Sequence, residues 1–573
     1  MNNREMADTF EAIANLMEIK GEAIYRILAY RRAAETLRGL GRDIRTIWEE
    51  GELEQIPGVG KAIAGKIDEI IRTDRLTFYE KLTEEIPPGL IQVLQVEGVG
   101  PKKAALFWKE GGITSLEQLE VAANTGQLRA LSGMGEKSEH KILESIQALK
   151  NRHTDRFLLS DAWKTAQSLI DSLRECTAVE RIELAGSLRR WRETIGDLDL
   201  LVASESSAAV MEAFVALPLV ERVLGKGDTK TSVELLDGMR VQLWVHAPDR
   251  FGSAWQYATG SQAHNVRLRE LALTQGLSLS EHGFKREDGS EVLCREENEV
   301  YERLGLAWIP PELREDYGEL TSAKLSGIPE LVTEEQLRGE LHAHSNWSDG
   351  NASVDEMARA AIARGMEYLV LSDHSRSLGI ANGLSIERLL DQRKEIERVQ
   401  KKLGKKIRLL QGCEVEILAD GSLDYPDEIL EQLDIVIASL HTSLSQPREQ
   451  VTKRVLNAVT NPHVDMIGHL TGRLINKRDP ADLDVETILT IGAEHDVAFE
   501  INSNAERLDL KDSHAKLALE LGCKLAINTD AHHPDHFDFR NYGVGTARRA
   551  WTPAQAVLNT WPLPELREWL EER

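Results

Sequence analysis

The spacing of hydrophobic residues divides the chain into a helical first part and later parts that contain strands. Over residues 1–150 apolar side chains recur every three or four positions, as at Phe10 and Ile13, and the alternation expected of strands is scarce. Residues 151–315 mix a helix, predicted over 156–174, with strand patterns in RIELAGSLRR, IGDLDLLVA and MRVQLWVHA. The pattern therefore predicts helical domains followed by an α+β region.

From Arg338 onward, short apolar strands alternate with helical segments. The strand patterns are YLVLSDH, IRLLQGCEVEI, IVIASLH, MIGHL, VAFEINS and KLAINTDAH. Such alternation is typical of β/α units around a parallel sheet or barrel, and folds of this class place their sites where the strands end. Residues 316–335 contain Gly318, Gly327 and Pro329, which indicates a connector before this region.

Composition narrows the class of protein. The chain has 573 residues, 42% of them hydrophobic and 28% charged, which is ordinary for a soluble globular protein of about three to five domains. No apolar run approaches the roughly 18 residues that span a bilayer, and the N-terminus has no apolar signal core. The four cysteines lie far apart without a C-x-x-C pair, so a disulfide framework is not expected. We expect a cytoplasmic protein.

The net charge of −25 argues against simple electrostatic wrapping of nucleic acid. Binding depends on local patches, however, and acidic and basic residues are nearly balanced over residues 1–150. Carboxylates in excess can also serve as metal ligands. The charge therefore leaves both DNA binding and metal chemistry open.

A glycine motif recurs three times in the helical part. IPGVGKAIAGKI begins at Ile56, VEGVGPKKAALF at Val96 and LSGMGEKSEHKI at Leu131, and each ends in an amphipathic helical pattern. The glycines allow a tight hairpin whose backbone N–H groups, beside a helix N-terminus, suit a DNA phosphate. One such turn is typical of an ordinary helix connection, but three copies indicate DNA backbone binding. The residues expected at DNA are Gly58, Gly60, Gly98, Gly100, Gly133, Gly135 and Lys102.

Two carboxylates lie two positions apart in GDLDLLV, at Asp197 and Asp199. On a strand they share one face, where they repel each other unless a divalent cation lies between them. Just upstream, GSLRR at 186–190 offers amides, a hydroxyl and guanidinium groups for a triphosphate. D-x-D alone is common on surface strands, but its combination with GSLRR is far more specific.

These motifs, with GDTKTSV at 227–233 and YATGSQAHN at 257–265, resemble the nucleotidyltransferase palm and thumb of family X DNA polymerases, and the hairpins at 56–67 and 96–107 match that family's helix-hairpin-helix modules. The resemblance covers residues 1–315. It implies that Asp197 and Asp199 are catalytic and bind two Mg²⁺ ions. It also places the family's lyase lysine at Lys66, whose alternative is a solvated phosphate-binding lysine. The implied nucleotide-binding residues are Gly186, Ser187, Arg190, Tyr257, Gly260 and Asn265.

The sequence departs from this family at Gln242. The family carries a third aspartate on the next strand, where this chain reads Arg240-Val241-Gln242-Leu243. A neutral amide is a poor metal ligand and cannot accept the proton of the primer hydroxyl. We therefore predict a palm that binds DNA and nucleotide but synthesises weakly or not at all. The alternative is a benign replacement, rescued by water or by another acid such as Glu234.

The last part of the chain is rich in potential metal ligands at the ends of its predicted strands. LHAHSNWSDG sets two histidines on one face with an aspartate beyond them, and each later strand except VAFEINS ends in histidine, glutamate or aspartate. Imidazole nitrogen and carboxylate oxygen suit Zn²⁺, Mn²⁺ or Fe²⁺ and the hydrolysis of phosphate esters. The nine candidate ligands are His342, His344, Asp349, His374, Glu414, His441, His469, Asp530 and His532.

This pattern resembles the PHP (polymerase and histidinol phosphatase) domain over residues 336–573, with all nine ligand positions filled. The resemblance implies a distorted (β/α)7 barrel that binds up to three ions, Mn²⁺ or Zn²⁺. Arg473 and Arg507 are candidate clamps for the scissile phosphate, with a structural role as the alternative. Four histidines fall outside the pattern and are predicted to be surface or supporting residues: His495, His514, His533 and His536.

The order of parts resembles the bacterial and archaeal family X DNA polymerases (PolX) with a C-terminal PHP domain. The predicted domains are a lyase-like helical domain (1–85), fingers (86–150), palm (151–248), thumb (249–315), connector (316–335) and PHP domain (336–573). The resemblance implies DNA repair, with a metal-dependent 3′–5′ exonuclease that also acts at abasic sites. The expected partners are DNA with a gap or a recessed 3′ end and a dNTP, with no membrane, and the chain is expected to be a monomer.

Three alternatives to this reading remain open from the sequence. The first is a fully competent gap-filling polymerase despite Gln242. The second is a small-molecule phosphatase built on the PHP domain, and the third is a non-catalytic scaffold at damaged DNA. Each predicts a different outcome in primer-extension, phosphatase and nuclease assays.

Overall fold

The structure, a computed structural model, describes residues 1–96, 98–151, 156–325 and 327–572. The chain forms two compact units, Met1–Asp155 and Arg156–Arg573. Residue 97 of the predicted fingers, within the second glycine motif, residues 152–155 of the predicted palm, 326 of the connector and 573 of the PHP domain lie outside the described residues. The finer domain boundaries stay predictions. In the described part of the chain, the helices lack the length and apolarity that a membrane crossing requires.

The first unit is helical, as the sequence predicts. Its helices are amphipathic: in Lys61–Thr73, for example, Ile63, Ile67 and Ile70 face the core at a spacing of three to four residues. The α-helices are Asn3–Lys20, Ile24–Gly39, Ile44–Glu49, Lys61–Thr73, Thr77–Glu85, Leu90–Val93, Pro101–Lys109, Leu116–Asn124 and Glu136–Asn151, with 3₁₀ turns at Leu53–Gln55 and Leu128–Ala130.

The palm is built around a five-stranded sheet. In spatial order its strands are Arg181–Leu184, Asp197–Ala203, Arg240–His246, Lys230–Leu235 and Val220–Lys226, and only the pairing of the second with the third is parallel. A short ribbon pairs Phe157–Leu158 with Thr194–Ile195, and helices Leu159–Arg174 and Ser207–Val215 complete the palm.

One predicted strand is wrong in its second half. RIELAGSLRR is a strand only over Arg181–Leu184, and Gly186–Arg189 forms a helical turn. The chain turns at Gly186, whose φ of +60° lies in the left-handed region that glycine adopts without strain. The turn carries the predicted phosphate-binding residues away from the sheet.

The predicted thumb and connector are compact and mostly helical. Helices Phe251–Thr259, Gln262–Thr274 and Glu297–Arg303 pack beside a three-stranded sheet of Leu277–Ser280, Gly283–Arg286 and Glu291–Val292. The connector is not an open linker, because it contains the helix Glu319–Leu325 and the 3₁₀ turn Glu334–Gln336. The remaining 3₁₀ turns of the palm and thumb are Pro248–Arg250 and Pro311–Leu313.

A seven-stranded parallel sheet forms the last part of the chain, with its strands in sequence order, and a parallel bridge between Ala343 and Ala531 joins its two ends. The inner strands are buried along their length, as their continuous apolar runs predict. The strands are Gly339–Glu340, Tyr368–Leu371, Arg408–Glu416, Ile435–Ser439, Met466–Ile467, Ala498–Asn502 and Leu525–Asn528. The α-helices are Val354–Ala363, Ile386–Leu403, Asp427–Leu430, Arg448–Val459, Val485–Glu494, Asp512–Glu520, Arg540–Arg549 and Leu563–Glu572, with 3₁₀ turns at Gly379–Ala381, Pro534–Phe539, Ala554–Ala556 and Leu558–Thr560.

The palm packs directly against helix Arg540–Arg549 of the barrel. Trp191 of the palm stacks on Trp163, with ring centroids 4.7 Å apart, and meets the edge of Tyr542 at 6.4 Å. A β-carbon at Gly545 would lie 2.4 Å from a ring carbon of Trp191, so only glycine allows this approach. The contact, which we call the palm–barrel seam, joins the barrel to the segment that follows the turn Gly186–Arg189, which is predicted to bind phosphate.

Candidate metal centre and palm site

The nine predicted ligands of the barrel come together at the ends of its strands. They form three groups in which potential ligand atoms lie within 4.8 Å of one another, and His469 joins them through its Nε2, which is 2.8 Å from Oε1 of Glu414. The groups are His344, Asp349, His374 and His532; His342, His344, Glu414 and Asp530; and His374, Glu414 and His441. The prediction that these side chains cluster is therefore confirmed in space.

Glu414 lies at the centre of this cluster. Its Oε2 is 2.9 Å from Nδ1 of His374, and its Oε1 is 3.3 Å from Nε2 of His441. In the group that Glu414 shares with His342, His344 and Asp530, Nε2 of His344 lies 3.0 Å from Oδ1 of Asp530. A carboxylate shared by two groups has the position expected of a ligand that bridges two ions.

The polar atoms that face the centre fit a metal site. Among the described residues, buried ring nitrogens and carboxylate oxygens here lack a hydrogen-bond partner, although burying such atoms unpaired is costly. Divalent cations would take up the carboxylate oxygens and one ring nitrogen of each imidazole, because a neutral imidazole has one nitrogen with a free lone pair and one N–H. The atoms are Nε2 of His342, both ring nitrogens of His344 and of His469, both oxygens of Glu414, and Oδ1 of Asp530.

The electrostatics of the centre call for positive charge. Burial by itself would raise the pKa of Glu414, but the imidazoles of His441, His374 and His342 outweigh it and hold that pKa well below its usual range. Burial, aided by His532 and His374, lowers the pKa of His344 to about 3, so this imidazole is neutral and able to ligate. Without a metal, the neighbouring carboxylates outweigh burial and raise the pKa of His342 well above its usual value, that of His441 to about 10 and that of His532 to about 9, so a bound Zn²⁺ or Mn²⁺ would take the place of these protons.

Two glutamates that the sequence analysis missed orient the ligands. Glu500 lies 2.7 Å from Nδ1 of His342, and Glu416 lies 2.7 Å from Nδ1 of His441. Each carboxylate fixes the tautomer of its imidazole so that Nε2 faces the centre. Glu416 could have been found, because it follows Glu414 by two residues and shares its face of the strand. Glu500 carried no such signal.

The two candidate phosphate-binding arginines are placed differently. Arg473 donates from Nε to the carbonyl of Arg507 and from Nη2 to Glu193 of the palm, both at 2.8 Å. Arg507 has its Nε 3.9 Å from Oδ2 of Asp530, and its buried Nη1 has no hydrogen-bond partner in the described part of the chain. The four histidines left outside the pattern belong to none of the three groups, although His514 is partly buried.

In the palm, Gln242 lies beside the two aspartates. Asp199 and Gln242 are paired across parallel strands, and Nε2 of Gln242 donates to Oδ2 of Asp197 at 3.2 Å. Burial and the charge of Asp197 raise the pKa of Asp199 to about 7. Glu234, the possible replacement acid, accepts a hydrogen bond from Arg222 at 3.1 Å. The amide therefore lies beside both aspartates and bonds to one of them, at the position where the resemblance predicts a third carboxylate.

The predicted nucleotide-binding residues contact this pair through Gly186 and contact one another. A β-carbon at Gly186 would lie 2.1 Å from Oδ2 of Asp199, and one at Gly260 would lie 3.2 Å from Nη1 of Arg190, so both glycines allow close approach. Asn265 donates to the carbonyl of Tyr257 at 2.8 Å. Ser187 lies in the same helical turn as Gly186. Their roles toward a nucleotide stay predictions.

The three glycine hairpins have one backbone form. The first glycines, Gly58, Gly98 and Gly133, have φ values of +80°, +75° and +72°. The second glycines precede the helices that begin at Lys61, Pro101 and Glu136. A β-carbon at Gly60, Gly98, Gly100, Gly133 or Gly135 would meet nothing within 4 Å, so the backbone there is open to a ligand.

Two lysines of the first unit were singled out by the sequence analysis. Lys102 is exposed at the start of its helix, beside the second hairpin. Nζ of Lys66 lies 5.1 Å from the ring centre of Phe78 and 5.8 Å from that of Tyr30, and it donates to the carbonyl of Ala62 at 3.3 Å. Contact with two rings is compatible with either a lyase or a phosphate-binding role.

Comparison with known proteins finds matches along the length of the chain. Family models match as a helix-hairpin-helix domain over residues 1–76, a SAM-like helix-hairpin-helix tandem over 90–148, a DNA polymerase beta thumb over 254–315 and a PHP domain over 340–504. A relative in Bacillus subtilis (strain 168), named DNA polymerase/3′-5′ exonuclease PolX, is 37% identical over 574 residues, covering 100% of both chains.

Shorter relatives match the barrel alone. A probable phosphatase of Thermoanaerobacter sp. (strain X514) is 32% identical over 249 residues, which are 41% of this chain and 94% of the relative. A probable phosphatase of Caldanaerobacter subterraneus subsp. tengcongensis is 28% identical over 251 residues, 42% of this chain and 93% of the relative.

Fold and site together define a polymerase-type enzyme fused to a metal-dependent phosphoesterase barrel. Along the chain, the hairpins are followed by the palm sheet, the thumb and the barrel, and the match to the Bacillus relative extends across all four parts. The chain belongs to the PolX family of family X DNA polymerases that carry a C-terminal PHP domain.

Proposed function

We propose that the barrel of this chain is a metal-dependent 3′–5′ exonuclease that acts on DNA held by the hairpins and the thumb. The observation that carries the proposal is the set of buried, unpartnered ligand atoms around Glu414. The name and full-length match of the Bacillus relative support the direction of cleavage. The substrate is proposed to be a gapped duplex or a recessed 3′ end, bound by a monomer.

The residues of the centre divide the chemistry among them. When bound, up to three Mn²⁺ or Zn²⁺ ions would polarise the phosphodiester and lower the pKa of a water nucleophile. The nine histidine and carboxylate side chains hold the site together, with Glu414 shared between groups. The free Nη1 of Arg507 beside Asp530 is placed to bind a phosphate oxygen, whereas the guanidinium of Arg473 already holds two carbonyls and Glu193.

An exonuclease assay tests the barrel. Chelated full-length protein, given a 5′-labelled gapped duplex, should shorten the strand from its 3′ end only after Mn²⁺ or Zn²⁺ is restored. His344→Ala should abolish cleavage, and His495→Ala, which changes an exposed histidine outside the cluster, should not. Cleavage that persists in His344→Ala after chelation would refute the proposal. An abasic-site duplex in the same assay tests the proposed endonuclease activity.

We further propose that the palm binds a dNTP and Mg²⁺ but synthesises weakly. Gln242 donates a hydrogen bond to Asp197, so it offers this pair an amide N–H where the family offers an oxygen ligand. Loss of one such ligand raises the barrier by several kcal/mol, where about 1.4 kcal/mol is tenfold in rate. The same arrangement leaves Asp197 and Asp199 able to hold at least one ion with the triphosphate.

Primer extension with Mg²⁺ and with Mn²⁺ tests the palm. Gln242→Asp should raise the extension rate about tenfold or more. Gln242→Asn, which keeps a neutral amide, is the matched control and should stay as weak as the wild type. Robust extension by the wild type, unimproved in Gln242→Asp, would instead establish a competent gap-filling polymerase. Borohydride trapping of an abasic-site duplex, with Lys66→Ala as the control, tests the lyase assignment.

A second candidate function is a phosphatase of small esters. The specific observation is that two chains named probable phosphatases match the barrel over 93–94% of their own length. Turnover of such esters by full-length protein that leaves every DNA end intact would favour it. Cleavage of DNA, abolished in His344→Ala, would favour the nuclease.

A further inference from the structure

We infer that Arg549, on barrel helix Arg540–Arg549, is a positioning residue for nucleotide binding in the palm. It acts through Arg190, whose guanidinium is the one in the predicted phosphate-binding turn that still has a donor for a phosphate. The inference rests on the proposed function, because it requires the palm to bind a dNTP. It adds that the barrel helps to build the nucleotide site in the neighbouring domain.

Arg549 reaches the phosphate-binding turn in two ways. Its Nη1 donates to the backbone carbonyl of Arg190 at 2.8 Å and to Oε1 of Glu315 at 2.9 Å. The same oxygen of Glu315 accepts from Nε of Arg190 at 3.1 Å. Arg549 itself is held by Asp512, which accepts from its Nε at 2.8 Å. One guanidinium of the barrel thus fixes both the backbone of Arg190 and the carboxylate that orients its side chain.

The neighbouring arginine of the turn cannot take over this role. Arg189 forms a two-pronged pair with Glu297, at 2.6 and 2.8 Å, and also donates to Thr259. Arg190 uses Nε for Glu315 and Nη1 for the carbonyl of Thr259, which leaves its Nη2 for a phosphate oxygen. The direction of that remaining donor is set by Glu315, and therefore by Arg549.

The network is buried, so each of its members matters. Arg549 and Glu315 are 8% and 6% exposed. Burial would raise the pKa of Glu315, but Arg190, Arg549 and Arg192 lower it to about 2. Without Arg549, the carboxylate loses one charged donor and the Arg190 carbonyl loses its partner. Truncating one member of a buried charged pair is costly, so the turn would rearrange.

Nucleotide affinity tests the inference in the full-length chain. We would titrate a fluorescent dATP analogue into protein bound to gapped DNA, with Ca²⁺ to prevent turnover. Arg549→Met keeps the length of the side chain but removes its donors, and it should raise the dissociation constant for the nucleotide about tenfold. Arg549→Lys restores one charged donor and should recover part of the affinity.

A matched control lies one residue away. Arg548 lies on the same barrel helix, where it donates to the side chain of Glu312 at 2.6 Å and to the carbonyl of Val332. It has no bond to Arg190 or Glu315 among the described residues, and its one link to the network is the long contact of 3.5 Å from Nη1 of Arg549 to the backbone carbonyl of Glu312. Arg548→Met should therefore leave nucleotide affinity unchanged, and both variants should keep the wild-type exonuclease rate. In a Gln242→Asp background, Arg549→Met should raise KM for dNTP more than it lowers kcat.

The possible outcomes distinguish failure of this inference from failure of the proposed nucleotide binding by the palm. Unchanged affinity in Arg549→Met, or equal losses in Arg549→Met and Arg548→Met, would overturn the positioning role while nucleotide binding stands. No binding by the wild type would remove the proposed palm function and this inference with it. A loss confined to Arg549→Met and relieved by lysine supports the inference.

Discussion

Glu500 offers a demanding test of the metal centre, because four donors converge on its carboxylate. Oε1 accepts from Nδ1 of His342 at 2.7 Å and from Nδ2 of Asn528 at 3.0 Å. Oε2 accepts from the backbone N–H of His469 at 2.8 Å and from Nδ2 of Asn502 at 3.3 Å. In Glu500→Gln, either orientation of the amide turns an NH₂ group toward two donors.

The expected loss follows from this arrangement. A buried donor left without an acceptor costs about 1–3 kcal/mol, and loss of a carboxylate that orients a metal-bound imidazole commonly costs about 10- to 100-fold in metal affinity. We expect Glu500→Gln to bind Mn²⁺ about tenfold to a hundredfold more weakly, because the ring of His342 is no longer held with Nε2 toward the centre.

The assay is a calorimetric titration of chelated protein with Mn²⁺, paired with the Mn²⁺ concentration that gives half-maximal exonuclease rate. Glu506→Gln is the matched control, since Glu506 is half-exposed and its side chain pairs, in the described part of the chain, with the exposed Lys477 and not with a ligand of the centre. Affinity in Glu500→Gln equal to that of the wild type and of Glu506→Gln would refute the claim that this carboxylate orients a ligand.

Three further predictions concern the rest of the molecule. Folding lowers the pKa of Glu315 from 4.5 to about 2, so its contribution to the free energy of unfolding should be complete above pH 4.5 and lost as the pH falls from 4.5 to about 2. The urea midpoints measured at pH 6 and at pH 3 should therefore differ less in Glu315→Gln than in the wild type. Gly186→Ala should unfold at lower temperature by calorimetry, because its methyl would lie 2.1 Å from Asp199; an unchanged Tm would contradict this close approach. Gly98→Ala places an alanine at a left-handed φ, at a cost of about 1–2 kcal/mol, and should weaken DNA binding in a gel-shift assay. Gly65→Ala, which lies within a helix and has open space around it, should leave DNA binding unchanged.

The sequence was most informative where residue spacing matched the period of the structure. The barrel ligands recur at strand ends, so the register of the sheet alone was enough to predict that they meet. The glycine hairpins were predicted for the same reason, since each is a local turn that needs no distant partner. Asp197 and Asp199 share one strand face, and the register of two strands then placed Gln242 beside them.

Contacts between distant segments were beyond the reach of these patterns. Glu500 meets His342 across 158 residues, inside a strand whose sequence, AFEIN, has no motif. The partners of Arg473 are mostly backbone carbonyls, which any residue could supply. The strand predicted through GSLRR was wrong because alternation was weighed above the turn that Gly186 permits.

The packing of Trp191 onto the bare backbone of Gly545 bears on how the palm site and the metal centre share one chain. A domain that swings between two tasks needs a loose, hydrated joint, whereas interlocked aromatic and charged side chains resist sliding. Both chemistries therefore operate from fixed positions within this unit. A DNA end that visited both sites would therefore have to move relative to the palm and the barrel, and not with either of them.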